Sequence, residues 1–521
     1  MPVVSTIAGV IRRHGAERPE APALIYRDRT FTYGELDERS NRLANALAAE
    51  GVGEQERVAR LDKNSPEWID LAFATAKLNA VTCDVNWRLA PAEAAFIVND
   101  AEAKVFIVGE EFVPVLEAML PELTTVKKIV VAGAGHEAHE TYDAWLARYP
   151  DTDPGIESQA DDVAMQFYSS GTTGRPKGVM LTNANLFAST DAVGDVLNFS
   201  EESVSLVCMP MFHVAGGLWS LIGLYFGTVN VLMREVDPVQ IVELIPQHGI
   251  THSVFVPAVL QFMLMVPGVE DADYSSLVSI LYGASPIAAD VLEKSVGTFG
   301  CDFIQAYGLT ETTGAIVLLP AADHDPNGPN AHRMRSAGVA GPGVEIRVVD
   351  AEGGDVPVGD IGEIITRSGQ NMKGYWKMAE ATEEAFLPGG WFRTGDAGYL
   401  DDDGYVYIHD RVKDMVVSGG ENIYPAEVEN ALMGHLAIAD VGVIGVPDNH
   451  WGEVVKAVVV KAGGAEVTEQ EIIEFARGRL AHFKCPRSVD FAAELPRNPS
   501  GKILKKDLRA PYWAGRERQV N

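Results

Sequence analysis

Along the N-terminal part of the chain, apolar residues recur with two periods in turn, that of a helix face and that of a buried strand. Thr32 and Glu35 form a capping-box pair ahead of Leu36, Leu43 and Leu47, which share one side of a helix that Gly51 and Gly53 stop. Residues 57–61 then read as a strand, 68–79 as a helix and 80–85 as a second strand, which together make a βαβ unit. The stretches 250–256 and 279–282 repeat the strand pattern, each followed by a helical one. This alternation predicts an α/β region.

Near residue 340 the pattern changes to short strands separated by turns, at 344–349, 362–367, 398–400 and 406–409. These predict an antiparallel sheet or small barrel. From Asp414 a third pattern begins: a helix at 425–433, strands at 438–446 and 454–460, and a helix at 468–482. It predicts a small α+β domain, joined to the rest at 411–414. One stretch, 203–233, has no formally charged residue and is long enough to span a bilayer. Pro210, His213, Gly216, Gly217, Gly223 and Gly227 interrupt it, so it reads as a buried strand, a glycine-rich loop, a core helix near 218–225 and a second strand, with no integral membrane segment.

Composition narrows the classes of partner. The 521 residues carry a net charge of −31, which repels nucleic-acid phosphates and anionic lipid, so an anionic ligand must be caught by local cations. Nucleic acid is therefore not expected as a partner. Cys83, Cys208, Cys301 and Cys485 lack CxxC spacing and point to neither a zinc site nor a disulfide framework. With no charged n-region and apolar h-region at the start, the expected location is cytoplasmic. Oligomeric state is not legible, which leaves a homodimer open.

Chemistry enters with Ser169-Ser170-Gly171-Thr172-Thr173-Gly174-Arg175-Pro176-Lys177-Gly178, ten residues with three glycines, four hydroxyls and two cations after a strand-like run. Glycines let backbone N–H groups face an anion, hydroxyls add hydrogen bonds and the lysine adds a point charge, so the run reads as a polyphosphate-holding loop. It is not a Walker loop, because Gly follows the Lys and the GxxxxGK interval is absent. The competing reading is a plain linker. Further along lie Tyr307-Gly308-Leu309-Thr310-Glu311-Thr312-Thr313-Gly314, Trp391-Phe392-Arg393-Thr394-Gly395-Asp396, Asp410-Arg411-Val412-Lys413-Asp414 and Pro499-Ser500-Gly501-Lys502.

Taken in this order, the five runs resemble the acyl-CoA synthetase and fatty-acid–CoA ligase branch of the class I adenylate-forming enzymes, from about Thr30 to Leu508. The resemblance implies an α/β fold: a large N-terminal region of two α/β subdomains plus a small distorted β-barrel (1–411), and a small mobile α+β C-terminal domain (412–521). It implies an acid–thiol ligase that uses ATP, Mg²⁺ and coenzyme A as co-substrate. Thr172, Thr173 and Lys177, with Ser169, Ser170, Gly171 and Gly174, would hold the phosphates, and Glu311 the metal. Tyr307, Gly308 and Thr310 would face the adenosine opposite Gly283, Ala284 and Ser285. Asp396 and Arg411 would take the ribose. Lys502 would enter the site for adenylation and leave as the C-terminal domain turns on Lys413. Arg88, Ser418, Gly419, Gly420, Trp451 and Phe483 are the candidates for coenzyme A.

For the acid itself the resemblance places His213 as a gate and Val214, Gly216, Gly217, Val256, Ile304 and Gly308 as pocket wall. Gly308 stands where acetate-specific relatives have a blocking Trp, and Gly216 and Gly217 are expected to leave room for a ring or tail. The expected substrate is a medium- or long-chain or branched fatty-type acid. An aryl acid, or transfer to a carrier protein, is the alternative.

Overall fold

The computed structural model describes residues 4–134, 138–169, 176–285, 287–418, 421–448, 450–497 and 503–514, with backbone alone at 410, 411, 421 and 422. The chain divides into two compact units, one of Met1–Glu345 with Thr366–Phe392 and the other of Ile346–Ile365 with Arg393–Asn521.

Two large sheets build the first unit. One runs, edge to edge, Gly374–Tyr375, Lys177–Thr182, Val163–Ser169, Val81–Asp84, Arg57–Leu61, Val105–Gly109, Lys128–Ala132 and Glu140–Thr141. The strands from 163–169 to 140–141 are parallel, and the first two in that order are antiparallel to their neighbours. Burial on both faces explains why these strands read as continuous apolar runs. Val105 and Ile107 pack on Leu43, Leu47, Leu71 and Trp145, while Phe106 and Val108 pack on Ile97, Val98 and Leu116. The second sheet has a parallel centre of Pro22–Tyr26, Val229–Leu232, Val204–Val207, His252–Phe255, Ser279–Gly283 and Asp302–Leu309, with antiparallel strands at its edges. The core between elements of this unit includes Trp68, Phe73, Leu206, Leu224, Ile280 and Phe303.

Helix starts follow the expected signals. Thr32 Oγ1 accepts from Glu35 N, and the Glu35 carboxylate accepts from Thr32 N, closing the capping box of Tyr33–Ala49. Such a cap contributes about 1 kcal/mol. The helix expected at 68–79 is Pro66–Lys77, since Pro at the first turn loses no hydrogen bond. The helix expected at 468–482 stops at Arg477, where Gly478 caps it.

The largest local difference concerns 203–233. The expected glycine-rich loop is helix: Val214–Phe226 is continuous and takes in Gly216 and Gly217. A third sheet, Val344–Val349, Gly362–Ser368, Trp391–Leu400 and Phe386–Leu387, with Val406–Arg411 beside 391–400, is the half-barrel anticipated near 340. Its strand at 398–400 is longer than expected and contains Asp396.

The second unit holds a sheet of Glu421–Ile423, Val416–Ser418, Gly452–Lys461 and Ile438–Asp448, extended by Ser488–Ala492. The helices Pro425–Met433, Glu469–Arg477 and Lys505–Trp513 also belong to it. Among the described residues no helix is long and apolar enough to cross a membrane.

Candidate active site

The phosphate loop emerges between two antiparallel strands, 163–169 and 177–182, whose last rung pairs Ser169 with Lys177. The loop residues Ser170, Gly171, Thr172, Thr173 and Gly174 lie outside the described residues, as do Gly419, Gly420 and Lys502. What is described is the frame that holds the loop's two ends. Glu311 comes to that frame from the sheet next in the chain. It sits in a single 3-10 turn, Thr310–Thr312, after the strand that carries Tyr307 and Gly308.

Several tethers fix this turn. Thr312 Oγ1 accepts from Leu309 N and donates to Gly314 O at 2.8 Å, and Glu311 O accepts from Met372 N at 2.8 Å. Thr313 adopts φ +51°, a left-handed conformation that costs a β-branched residue about 1–2 kcal/mol. Its Oγ1 donates to Gln370 O at 2.6 Å, which holds it there. Rigid support of this kind is expected where a carboxylate must point at a fixed target.

The Glu311 carboxylate meets two hydroxyls on one oxygen. Ser169 Oγ donates to Oε1 at 3.0 Å and the Tyr375 hydroxyl donates to the same Oε1 at 3.2 Å. Lys177 lies over the Tyr375 ring, its Nζ 4.6 Å from the centroid. Ser169, Lys177 and Glu311 are thus brought together, and Tyr375 joins them. Sequence reading missed Tyr375 because it acts through a two-residue edge strand, Gly374–Tyr375, paired with Val179 and Met180 across the sheet. The only signal was the Gly-Tyr-Trp ending of the run 371–376.

The adenosine candidates also assemble. Gly283 is the cross-strand partner of Ala306, which places Gly283, Ala284 and Ser285 beside Tyr307. A side chain at Gly283 would overlap Ala306 O, so the close backbone approach needs glycine there. Ala284 takes φ +67°, a second strained backbone position in this neighbourhood. In the second unit Asp396 and Arg411 are cross-strand partners, and Asp396 is buried. Lys413 is exposed in the turn Val412–Asp414, where Asp414 accepts from Arg509 at 2.9 Å.

Of the coenzyme A candidates, Ser418 is registered with Gly452, next to Trp451 in the chain. Trp451 and Phe483 are 41% and 44% exposed. Arg88 stacks on Trp87 at 4.1 Å and lies 5.6 Å from the Phe212 ring. Cys485 is buried, its thiol against the carbonyls of Leu480 and Ala481, and belongs to the core.

The acyl wall differs from expectation. His213 is the N-cap of 214–226, with its ring 4.4 Å from that of Phe212. Burial, and then the charge of Arg88, pushes its imidazole down to about 4, so it is neutral at pH 7. Val214 and Ile304 are buried and Val256 is half-buried. Gly216 and Gly217 leave no space for a ring or tail. A side chain at Gly216 would overlap the carbonyl oxygens of Met209 and Pro210, and one at Gly217 would sit 2.8 Å from Met211 O and 2.9 Å from Trp68 Cζ2. Gly308 likewise is glycine because its missing Cβ points at Gly314 O, across the strand pair. The groups that converge are Gly314, Val214, Leu218 and Ser189: a Cβ on Gly314 would lie 3.5 Å from Val214 Cγ1, 3.7 Å from Leu218 Cδ2 and 3.8 Å from Ser189 Oγ. Ser189 Oγ and His213 Nε2 are buried and have no hydrogen-bond partner among the described residues.

Known proteins are similar to this chain in sequence and fold. The AMP-binding enzyme family profile matches residues 11–376, and that of the AMP-binding enzyme C-terminal domain matches 427–502. The chain belongs to the AMP-binding, adenylate-forming enzymes. It is 40% identical to a fatty acid–[acyl-carrier-protein] ligase of Streptomyces coeruleorubidus over 100% of this chain and 99% of that one. It is 37% identical to a feruloyl-CoA synthase of Amycolatopsis sp, covering 96% and 98%. The crystal structure of ATP-bound MatB from Rhodopseudomonas palustris superposes with a TM-score of 0.86 at 31% identity, covering 97% and 99%. As an AMP-binding enzyme this protein is an AMP-forming acid–thiol ligase, with the α/β and half-barrel fold of its relatives.

Proposed function

We propose that the protein is an acid:CoA ligase. A carboxylate oxygen of the acid attacks the α-phosphorus of ATP, the bond to pyrophosphate breaks, and the acyl-AMP formed is then attacked at its carbonyl by the thiol of coenzyme A, releasing AMP. The observation that carries this reading is the meeting of Ser169, Lys177 and Glu311 at the mouth of the phosphate loop. Lys177 and the loop backbone bind the leaving phosphates, because adenylyl transfer depends on charge neutralisation and alignment more than on covalent work by the protein. Mg²⁺ fits here: both hydroxyls use Glu311 Oε1, and among the described residues Oε2 has no hydrogen-bond partner, so Glu311 would hold the cation through that oxygen. When bound, the ion neutralises charge on the departing pyrophosphate. Asp396 and Arg411 take the ribose, Tyr307 stacks on adenine, and Lys502 donates to the charge developing between carboxylate and α-phosphate.

In this reading the movable part begins at 412, with Lys413 as hinge, and Ser418, Gly419, Gly420, Trp451, Phe483 and Arg88 are the residues that serve coenzyme A. Coenzyme A is preferred over a carrier protein because a chain of net charge −31 repels an acidic protein partner more than it repels a small cofactor. Free cysteines throughout fit a cytoplasmic location. The test is carboxylate-dependent exchange of pyrophosphate into ATP without coenzyme A, followed by coenzyme A-dependent thioester release. Absence of exchange with every acid of a broad panel would reject the reading.

For the acid, the two orphaned polar atoms favour the second reading over the first. A plain fatty chain would leave Ser189 Oγ unsatisfied, at a cost of about 1–3 kcal/mol, whereas an aryl or other acid bearing an oxygen substituent would satisfy it. With paired acids that differ by one hydroxyl, the parent enzyme is expected to prefer the hydroxylated member by about 10–100-fold in kcat/KM. Ser189→Ala should erase most of that preference while turnover of the plain acid stays. An unchanged ratio would return the assignment to the fatty-type acid.

A further inference from the structure

Lys177 and Glu311 are opposite charges that both touch Tyr375, yet among the described residues neither is paired with the other. That is costly to maintain unless something keeps them apart, since an ammonium and a carboxylate at close range in a half-buried site attract strongly. Tyr375 has one polar and one π surface, and each is occupied: the hydroxyl donates to Glu311 Oε1 at 3.2 Å, and the ring face carries Lys177 Nζ at 4.6 Å. The cation therefore has a partner that is not an acid, and the acid a partner that is not a cation.

The backbone that carries the ring is anchored. Tyr375 N donates to Thr382 Oγ1 at 2.9 Å, Trp376 N donates to Gly178 O at 2.7 Å, and Arg57 stacks on the Trp376 ring at 3.4 Å. These tethers fix the backbone from which the Tyr375 ring projects between the two charges.

We infer that Tyr375 is a positioning residue that prevents Lys177 and Glu311 from neutralising each other, and so keeps the lysine available for phosphate and the carboxylate for a metal ion. The inference rests on the ATP-binding reading above. A salt bridge in place of this arrangement would have to be broken by each incoming nucleotide, whereas a cation–π contact is weak enough to be exchanged for a phosphate oxygen.

The test is a double-mutant cycle read by binding rather than turnover: the Kd of ATP in the presence of EDTA, measured by titration calorimetry on the full chain. Without metal, affinity reports Lys177. Tyr375→Phe keeps the ring and should bind within about threefold of the parent, while Tyr375→Ala should bind about 10–100-fold more weakly, the span of one charge-assisted contact. Adding Glu311→Gln to Tyr375→Ala should restore affinity to within about threefold of Glu311→Gln alone, since the competing acid is gone. Tyr375→Leu repeats the cycle with a larger side chain should the alanine variant unfold. If Tyr375→Ala binds as the parent does, or if the double variant stays as weak as Tyr375→Ala, the spacer role is wrong while the ATP site stands. If the parent itself fails to bind ATP, the functional reading falls and this inference with it.

Discussion

Lys502→Ala is expected to slow acyl-adenylate formation by on the order of 10²-fold or more, while thioester release from supplied acyl-adenylate stays near the parent rate. The asymmetry follows from where charge develops. In the first half-reaction negative charge builds between the attacking carboxylate and the α-phosphate, and a positioned ammonium acts on that transition state alone. In the second, the thiol attacks the carbonyl of a mixed anhydride already made and AMP leaves as a stable anion, so the step depends far less on an added ammonium. Pyrophosphate exchange reads the first step and thioester appearance the second. Equal loss in both would show that Lys502 serves the fold or the thiol step instead.

Gly216→Ala is expected to destabilise the enzyme by about 2 kcal/mol, lowering the apparent Tm by about 2 °C. Two effects oppose each other here. Helix propensity favours alanine over glycine inside Val214–Phe226 by about 1 kcal/mol. The new methyl, however, would overlap two backbone carbonyls, of Met209 and Pro210, which cannot turn away as a side chain could, and overpacking of this kind costs about 1–3 kcal/mol or more. Gly297→Ala supplies the contrast. It also lies inside a helix, Ala289–Phe299, but its missing Cβ faces open space, so propensity acts alone and the midpoint should rise. Thermal unfolding of the two variants beside the parent decides: a rise with Gly216→Ala would mean that the helix and the 209–211 turn separate easily.

How far the chain could be read in advance depended on whether a residue acts locally. Ser169, Lys177 and Glu311 were legible because each belongs to a short run whose chemistry is written in consecutive residues. The helix beginning at Thr32 was legible because its cap uses residues three apart. Gly216 and Gly217 were misread, since a glycine that opens a loop and one that admits a neighbouring carbonyl look identical along the sequence. Tyr375 and Ser189 were missed for the same reason at longer range. Tyr375 meets Glu311 across 64 positions, and Ser189 meets Gly314 from a helix far earlier in the chain, and neither carries a local signature. Thr313 could not be seen at all, because a left-handed threonine is a property of the tethers around it.

The close approach of Gly308 to the Gly314 carbonyl bears on how such an enzyme can diverge. A Cβ at Gly308 would overlap the Gly314 carbonyl, so a bulky residue there can narrow the range of acids only if the backbone of 302–309 and 314–319 moves with it. Descendants of this chain are instead free to vary Ser189, Val214 and Leu218, whose side chains sit on helices and can change one at a time. Substrate drift in this lineage should therefore leave its record on the two helices, with the glycine pair retained as a constraint inherited from the sheet.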